Sequence, residues 1–341
     1  MFVIRPVRQH EGPAIEKLVK HVSLGITSLP RSRELIEHRI NQSIKAFSQV
    51  NLNQPVNEKY LFAFEDTKTA EIIGVCGIYS KTGIDEPLYF YRIKTIYEKS
   101  DSLPLSTDIK VLVPIYYPHG PSEIGSLFLK PQFRKEGIGR LLSLSRFLFM
   151  ATFPERFDQK VFALMRAFHD KEQHFPFWEG VGRHFIAMEY GQFIEIRHQR
   201  EHFIQNVLAK YPVYVSLLTK DTQEAIGRIH PNTQPALTML MKEGFYLTDE
   251  IDLFDGGPKV EAITSEIRTI KKSRVATVED ITAREFNSPR YLISNLNLDF
   301  RACQGTMGVH ENAKVALNKD TADALSIKIG DKIRYICVSE D

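Results

Sequence analysis

Residues 122–154 read SEIGSLFLKPQFRKEGIGRLLSLSRFLFMATFP. Residues 124–129 are apolar enough for a buried strand, and Pro131 ends it because proline brings no N–H to a ladder. A basic turn with two glycines follows: Arg134, Lys135, Glu136, Gly137, Ile138, Gly139. Beyond it Leu141, Leu142, Leu144, Phe147, Leu148 and residues 150–153 make a helix that is apolar around most of its girth, hence a buried one.

Strand, glycine turn and buried helix form a holder for an anion. The first helical turn presents unpaired N–H groups and the positive end of the helix dipole to the preceding loop. Glycines at 137 and 139 remove the Cβ that would keep an anion from the backbone. A dinucleotide fingerprint would need a third glycine where Leu142 stands, and a Walker loop would need Lys-Ser/Thr where Arg140-Leu141 follows Gly139. What remains, Arg134-x-x-Gly137-x-Gly139, resembles the pyrophosphate-binding signature of the GNAT superfamily of acyl-CoA-dependent N-acyltransferases. The same residues also fit an ordinary strand-to-helix turn, so the rest of the chain decides.

The chain has 341 residues, enough for about two domains. A net charge of +2 and the lack of a long basic cluster argue against a nucleic-acid partner. Cys76, Cys303 and Cys337 lie far apart in apolar settings, so they read as reduced buried thiols and no metal site is expected. The N-terminus goes straight into a strand-like run without a signal-peptide core, and no apolar run is long enough for a membrane span. A cytoplasmic protein without membrane contact is expected.

In order, the chain reads as a strand at 2–5, a helix opened by Gly12-Pro13 and a second amphipathic helix carrying Leu35, Ile36, Ile40, Ile44 and Phe47. A hairpin at 60–64 and 71–79 follows, then extended segments at 87–96 and 109–116, the opening stretch, and a strand at 161–166. Residues 175–187 read as a helix holding the only tryptophan, Trp178, and a long helical region runs over 194–209. Thr219 caps a short helix stopped by Gly227, and Thr233 is expected to cap another that ends at Gly244. Residues 279–289 read as a linker, and the last part as a small β-rich, barrel-like subdomain. The expected class is α+β, with a GNAT-like acyltransferase domain over 1–270, extra helices, and the C-terminal subdomain over 271–341.

Several separated blocks together resemble the arginine N-succinyltransferase family. They include residues 3–6, residues 25–30 (GITSLP), Ser122-Glu123, the loop at 134–139, Pro176-Phe177-Trp178, His230-Pro231, Glu243-Gly244-Phe245 and residues 254–258 (FDGGP). The resemblance implies transfer of succinyl from succinyl-CoA to the α-amine of L-arginine, the first step of a route of arginine catabolism, with succinyl-CoA as co-substrate and no further cofactor. It implies His230 as catalytic proton donor and Leu127 as a contact to succinyl-CoA. With them go Leu129, Arg134, Lys135, Gly137, Ile138, Gly139 and Arg140 as the acyl-CoA-binding set. It also implies a homo-oligomer or pairing with a paralogous subunit.

These roles suit the chemistry. A thioester is already activated, so alignment, an unprotonated amine and a proton for the leaving thiolate are what the protein must supply. A backbone N–H near Leu127 would polarise the thioester carbonyl, and a histidine titrates in the right range for proton transfer. Arg166 or Arg92 can pair a substrate carboxylate. The chain departs from the family pattern at 163–167: Ala-Leu-Met-Arg-Ala stands where the family has Ala-Glu-Met-Arg-Gly, so Leu164 replaces a carboxylate. That keeps open ornithine or another amine as acceptor, acetyl-CoA as donor, and a non-catalytic acyl-CoA-binding subunit. His119, His169, His174 and His184 carry no signal in the sequence.

Overall fold

The computed structural model describes residues 1–20, 28–99, 106–134, 137–199 and 211–338. The first half runs β1 (Phe2–Pro6), α1 (Gly12–Val19), α2 (Arg33–Ser48), β2 (Lys59–Asp66), β3 (Glu71–Tyr79), β4 (Leu88–Lys99), β5 (Ser106–Tyr117), β6 (Ser122–Leu129), α3 (Ile138–Thr152) and β7 (Lys160–Leu164). After a helical region come β8 (Val213–Tyr214), β9 (Tyr246–Asp252) and β10 (Pro258–Ile263). The C-terminal part adds β11 (Arg274–Thr282), β12 (Tyr291–Asn295), β13 (Ala302–Gly305), β14 (Met307–His310), β15 (Lys314–Asn318) and β16 (Lys332–Cys337). All the strands join one sheet in the order β14-β15-β11-β16-β12-β13-β1-β2-β3-β6-β7-β10-β9-β4-β5-β8. β1 makes the join: Val3 pairs with Cys303 on one side and with Glu65 on the other.

The girth of α3 is apolar because every side is covered. Leu141 through Met150 are all buried, including Ser143, Ser145 and Arg146. Phe149 is the hub, with ring centroids of Tyr60, Phe300, Phe62 and Phe47 at 5.1, 5.3, 5.4 and 5.5 Å. Edge-on packing of this kind adds about 0.5–1.5 kcal/mol per pair to the burial itself. Phe300 reaches this hub from the C-terminal part, so α3 is clamped between the two halves of the sequence. The helix therefore starts at a fixed point, and the loop before it is held at a fixed place.

Two local expectations change. The polar stretch at 279–289 is not all linker, since β11 continues to Thr282 alongside β15 with Val278 buried and Ile281 half-buried. Its charges belong to the exposed face of that strand. The helix around Trp178 contains a π turn, Trp178–Gly182, whose glycines admit what a side chain would block: a Cβ on Gly182 would meet the Trp178 ring. The long helical reading over 194–209 is described only as far as Tyr190–Gln199, and its remainder lies outside the described residues.

Candidate active site

The regular pairing of β6 breaks in two places. The first is a bulge. Gly74 pairs with Leu129 and Val75 with Phe128, but the next pair is Gly77 with Gly125, so β6 carries one residue more than β3. Ser126 takes a left-handed φ of +54° there. Its amide donates to Ser28 Oγ at 2.7 Å and its hydroxyl to the Ser28 carbonyl at 3.0 Å, which pins the bulge from outside the sheet. Leu127 sits half-buried beside it without a Cα partner on β3, and Leu129 is buried.

The second break is a splay. β6 and β7 are parallel but pair only at Ser122–Val161 and Glu123–Phe162. The chain after β7 then turns to its other neighbours. Met165 N–H donates to the Pro258 carbonyl at 3.0 Å, Phe168 N–H to the Arg228 carbonyl at 2.9 Å, and His230 N–H to the Arg166 carbonyl at 2.9 Å. This short ladder holds His230 beside Arg166, past the last pair between β6 and β7.

The glycine loop lies beyond the end of β6. Gly137 caps α3 in the left-handed region, φ +82°, and the first helical bond runs from Leu141 N–H to its carbonyl at 2.9 Å. The amides of Ile138 and Gly139 thus have no acceptor within the helix, and Gly137 has no side chain to cap them. A Cβ on Gly139 would meet nothing within 4 Å, so an anion can approach the backbone there. Arg134 is exposed, anchored through Nε to the Leu129 carbonyl at 3.0 Å and laid over the Phe128 ring. Arg140 points elsewhere, its Nη1 donating to the Val338 carbonyl at 3.1 Å. Ile138 packs on the core, and Lys135 lies outside the described residues.

His230 opens the 3₁₀ turn Pro231–Thr233, and its Nδ1 accepts the Asn232 N–H at 3.2 Å. This turn replaces the expected Thr233 cap: Thr233 is itself helical, makes no capping bond, and His230 does the local capping instead. With Nδ1 accepting, a neutral ring carries its proton on Nε2. His230 stacks on His169, centroids 4.4 Å apart at 27°. Arg166 bonds His169 Nε2, so His169 donates from Nδ1, to the Asp170 carbonyl at 2.7 Å. Burial, then Arg166, then His169 push the His230 pKa down to about 4. Burial and then Arg166 likewise lower His169. Burial, then Arg134, lower Arg166, whose buried Nε has no hydrogen-bond partner. His169 carried no signal in the sequence; only the ladder at 166–168 brings it to His230.

The family described as "Arginine N-succinyltransferase beta subunit" matches residues 2–269, and its C-terminal domain matches residues 274–336. The chain belongs to the arginine N-succinyltransferase family. Arginine N-succinyltransferases of Escherichia coli (strain 55989 / EAEC) and Citrobacter koseri are 34% and 35% identical, each alignment covering 100% of this chain and 99% of the relative. The solved structure of arginine/ornithine succinyltransferase subunit AI from Pseudomonas aeruginosa superposes with a TM-score of 0.89 at 32% identity, over 100% of this chain and 99% of that one. The fold is thus the α+β fold of arginine N-succinyltransferases, with its β-rich C-terminal region.

Within that family fold, Leu164 ends β7 half-buried, opposite Lys259 of β10. Glu250 and Glu261 flank Lys259 at 2.8 and 3.2 Å and are taken up by it, so neither stands in for a carboxylate at 164. Arg92 is also occupied, by Glu250 at 2.5 Å, which leaves Arg166 as the better placed of the two arginines for a substrate anion. A cavity of about 450 Å³ floored by Val181, Val213 and Leu217 is lined by none of the residues described above. Among the described residues no group of three or more His, Cys, Asp or Glu is arranged for a metal ion, and no helix is long and apolar enough to cross a membrane.

Proposed function

We propose that this chain transfers succinyl from succinyl-CoA to the α-amine of L-arginine, giving N2-succinyl-L-arginine and CoA. The observation that supports the reading is the bond from the His230 N–H to the Arg166 carbonyl, past the point where the pairing of β6 with β7 ends. The bulge and Leu127 lie further along β6, past its last pair with β7. The first-turn amides of Ile138 and Gly139, with Arg134 on the loop before them, take the pyrophosphate of the acyl-CoA. The thioester then reaches back along β6 to the bulge, where strand geometry leaves room for a backbone donor to its carbonyl oxygen.

The amine nitrogen attacks the thioester carbon, a C–N bond forms and the C–S bond breaks. An ammonium must shed two protons on the way to an amide: one leaves to a base, and the other ends on sulfur. His230 delivers the second. Its ring is neutral in the free protein, because Arg166 and burial disfavour the imidazolium. A succinyl carboxylate beside Arg166 offsets that cation and makes the protonated ring easier to populate once substrate is bound.

The test is thiol release from succinyl-CoA and from acetyl-CoA, each with arginine, ornithine and no acceptor. Release that requires succinyl-CoA and arginine together supports the reading. Another productive pair moves the substrate, and the missing carboxylate at Leu164 makes ornithine the first to try. CoA binding without release for any pair indicates a non-catalytic subunit. His230→Ala should lower kcat by roughly 10²–10⁴-fold, the usual contribution of a proton-transfer group, with CoA affinity nearly unchanged.

A further inference from the structure

Glu123 is the one charged residue of β6, and among the described residues its carboxylate makes no hydrogen bond and no salt bridge. The other acids nearby are used. Asp252 accepts the N–H groups of Phe254 and Asp255 at 2.8 and 3.1 Å, and Asp255 accepts the Gly257 N–H at 2.9 Å and the Tyr190 hydroxyl at 3.0 Å. The Glu123 side chain runs along the strand toward the bulge: its Oε1 lies 3.4 Å from where a Cβ on Gly125 would stand, and Ser28 Oγ lies 3.3 Å from the same point. Gly125 keeps that space clear.

Two guanidiniums flank this carboxylate and share its lack of partners. Arg39 of α2 lies over the ring of Tyr79, centroid distance 4.7 Å, and Tyr79 is the β3 partner of Glu123. Arg197 of the helix Tyr190–Gln199 lies over the ring of Phe254 at 4.9 Å. Both are close enough for their charges to act on Glu123, yet neither closes a salt bridge with it, and neither makes a hydrogen bond among the described residues. Arg5, by contrast, is paired with Glu11 and Glu65, and Arg156 donates to the Tyr60 hydroxyl and the Ala46 carbonyl. Two stacked, unsatisfied guanidiniums around one unsatisfied carboxylate have the charge pattern of an α-amino acid turned inside out.

We infer that Glu123, Arg39 and Arg197 form the acceptor site, the two arginines gripping the α-carboxylate of a free amino acid and Glu123 receiving the α-ammonium and taking its first proton. Stacking fixes the guanidinium planes, which favours forked binding of a planar carboxylate. The transfer is R–NH₃⁺ plus Glu–COO⁻ to R–NH₂ plus Glu–COOH, after which the carboxylic acid passes its proton to solvent. Burial, opposed by Arg197 and Arg39 and reinforced by Asp252, pushes the Glu123 pKa up to about 7, where a carboxylate is an effective base near neutral pH. The inference rests on the proposed acyl transfer to an α-amine, and it names the residues that select the amine.

Its test compares L-arginine with the same molecule lacking the α-carboxylate, on the full chain with CoA present, by calorimetric binding and by thiol release. The wild-type chain should bind L-arginine tighter by roughly 10-fold or more, the weight of a charge-assisted hydrogen-bonded pair. Arg39→Met and Arg197→Met should bring that ratio toward one while CoA affinity and melting temperature stay put. Glu123→Gln should hold arginine within a few-fold but lose roughly 10²–10⁴-fold in kcat. An unchanged ratio in both arginine variants, no preference in the wild type, or wild-type turnover in Glu123→Gln overturns the inference. Succinyl transfer with an unchanged ratio would sink the acceptor site and leave the reaction standing. Carboxylate-dependent binding that both arginine variants abolish, without any transfer, would do the reverse.

Discussion

Replacing Arg166 by methionine should raise the pKa of His230 without touching His230 itself. The guanidinium bonds His169, which stacks 4.4 Å from His230, so the charge sits one ring away from the imidazole it disfavours. A unit charge at about 4 Å is worth about 1 kcal/mol in water and about 4 kcal/mol at an effective dielectric constant of 20. The longer path and the half-exposed site put Arg166 near the lower figure, about 1 kcal/mol, equivalent to roughly 0.7 pH unit in the midpoint. The wild-type midpoint is about 4, with burial as its largest cause, so methionine, which keeps the burial, should lift it only part of the way back to 6.5. Histidine ring resonances followed by NMR from pH 3 to 8 read this directly, with His230→Gln assigning the signal. Saturating succinyl-CoA should raise the wild-type midpoint and leave the Arg166→Met midpoint much less affected. A variant midpoint still near 4, or a wild-type midpoint already at the ordinary value, refutes the account of Arg166 as the charge that governs this proton.

Two further outcomes follow from the surroundings of the site. Gly256→Ala should destabilise the fold by about 2–5 kcal/mol, because φ there is +73° and the new Cβ would stand 2.6 Å from the Phe177 ring; a denaturant melt with an unchanged midpoint would contradict this. Glu123 and Asp255 are both raised in the folded state, from 4.5 and 3.8 to about 7. The folded chain therefore holds more protons than the unfolded one between about pH 4 and 7, so the stability from these groups is full below that window and lost as pH rises through 7. Melting temperature should fall from pH 5.5 to 8, and Glu123→Gln should flatten that slope; an equal slope in the variant would mean that Glu123 titrates normally.

Much of this site could be read from residue order, and the rest could not for definite reasons. Pro131, the two glycines and the apolar girth of α3 are local signals, and each acts where it stands. The bulge gave no such signal: the residue at positive φ is Ser126, not the neighbouring Gly125, and it is held there by Ser28 nearly a hundred positions earlier. Thr233 was a sound cap by type, but His230, which enters the turn first, accepts the nearby N–H with its ring. His169 had nothing to mark it, since its importance comes from a ladder between residues 166–168 and 228–230. Glu123 entered the sequence reading only within the Ser122-Glu123 block of the resemblance, because the strand was expected from 124, whereas β6 starts at Ser122.

The three parts of the site share a physical origin. An anion holder, a donor to the thioester oxygen and a mobile proton all need polar groups that secondary structure has not already satisfied. A regular sheet and a capped helix leave none, because buried backbone groups are nearly always paired. Here the pairing fails in three places: at the first turn of α3, at the bulge of β6, and where the chain after β7 leaves β6 for residues 228–230. Straightening any one of them would stabilise local structure and remove a group that the proposed reaction uses. Gly77 shows how little room there is for that: a Cβ placed on it would stand 3.3 Å from the Ser126 Cβ, so the strand opposite the bulge is kept bare and the bulge is free to form.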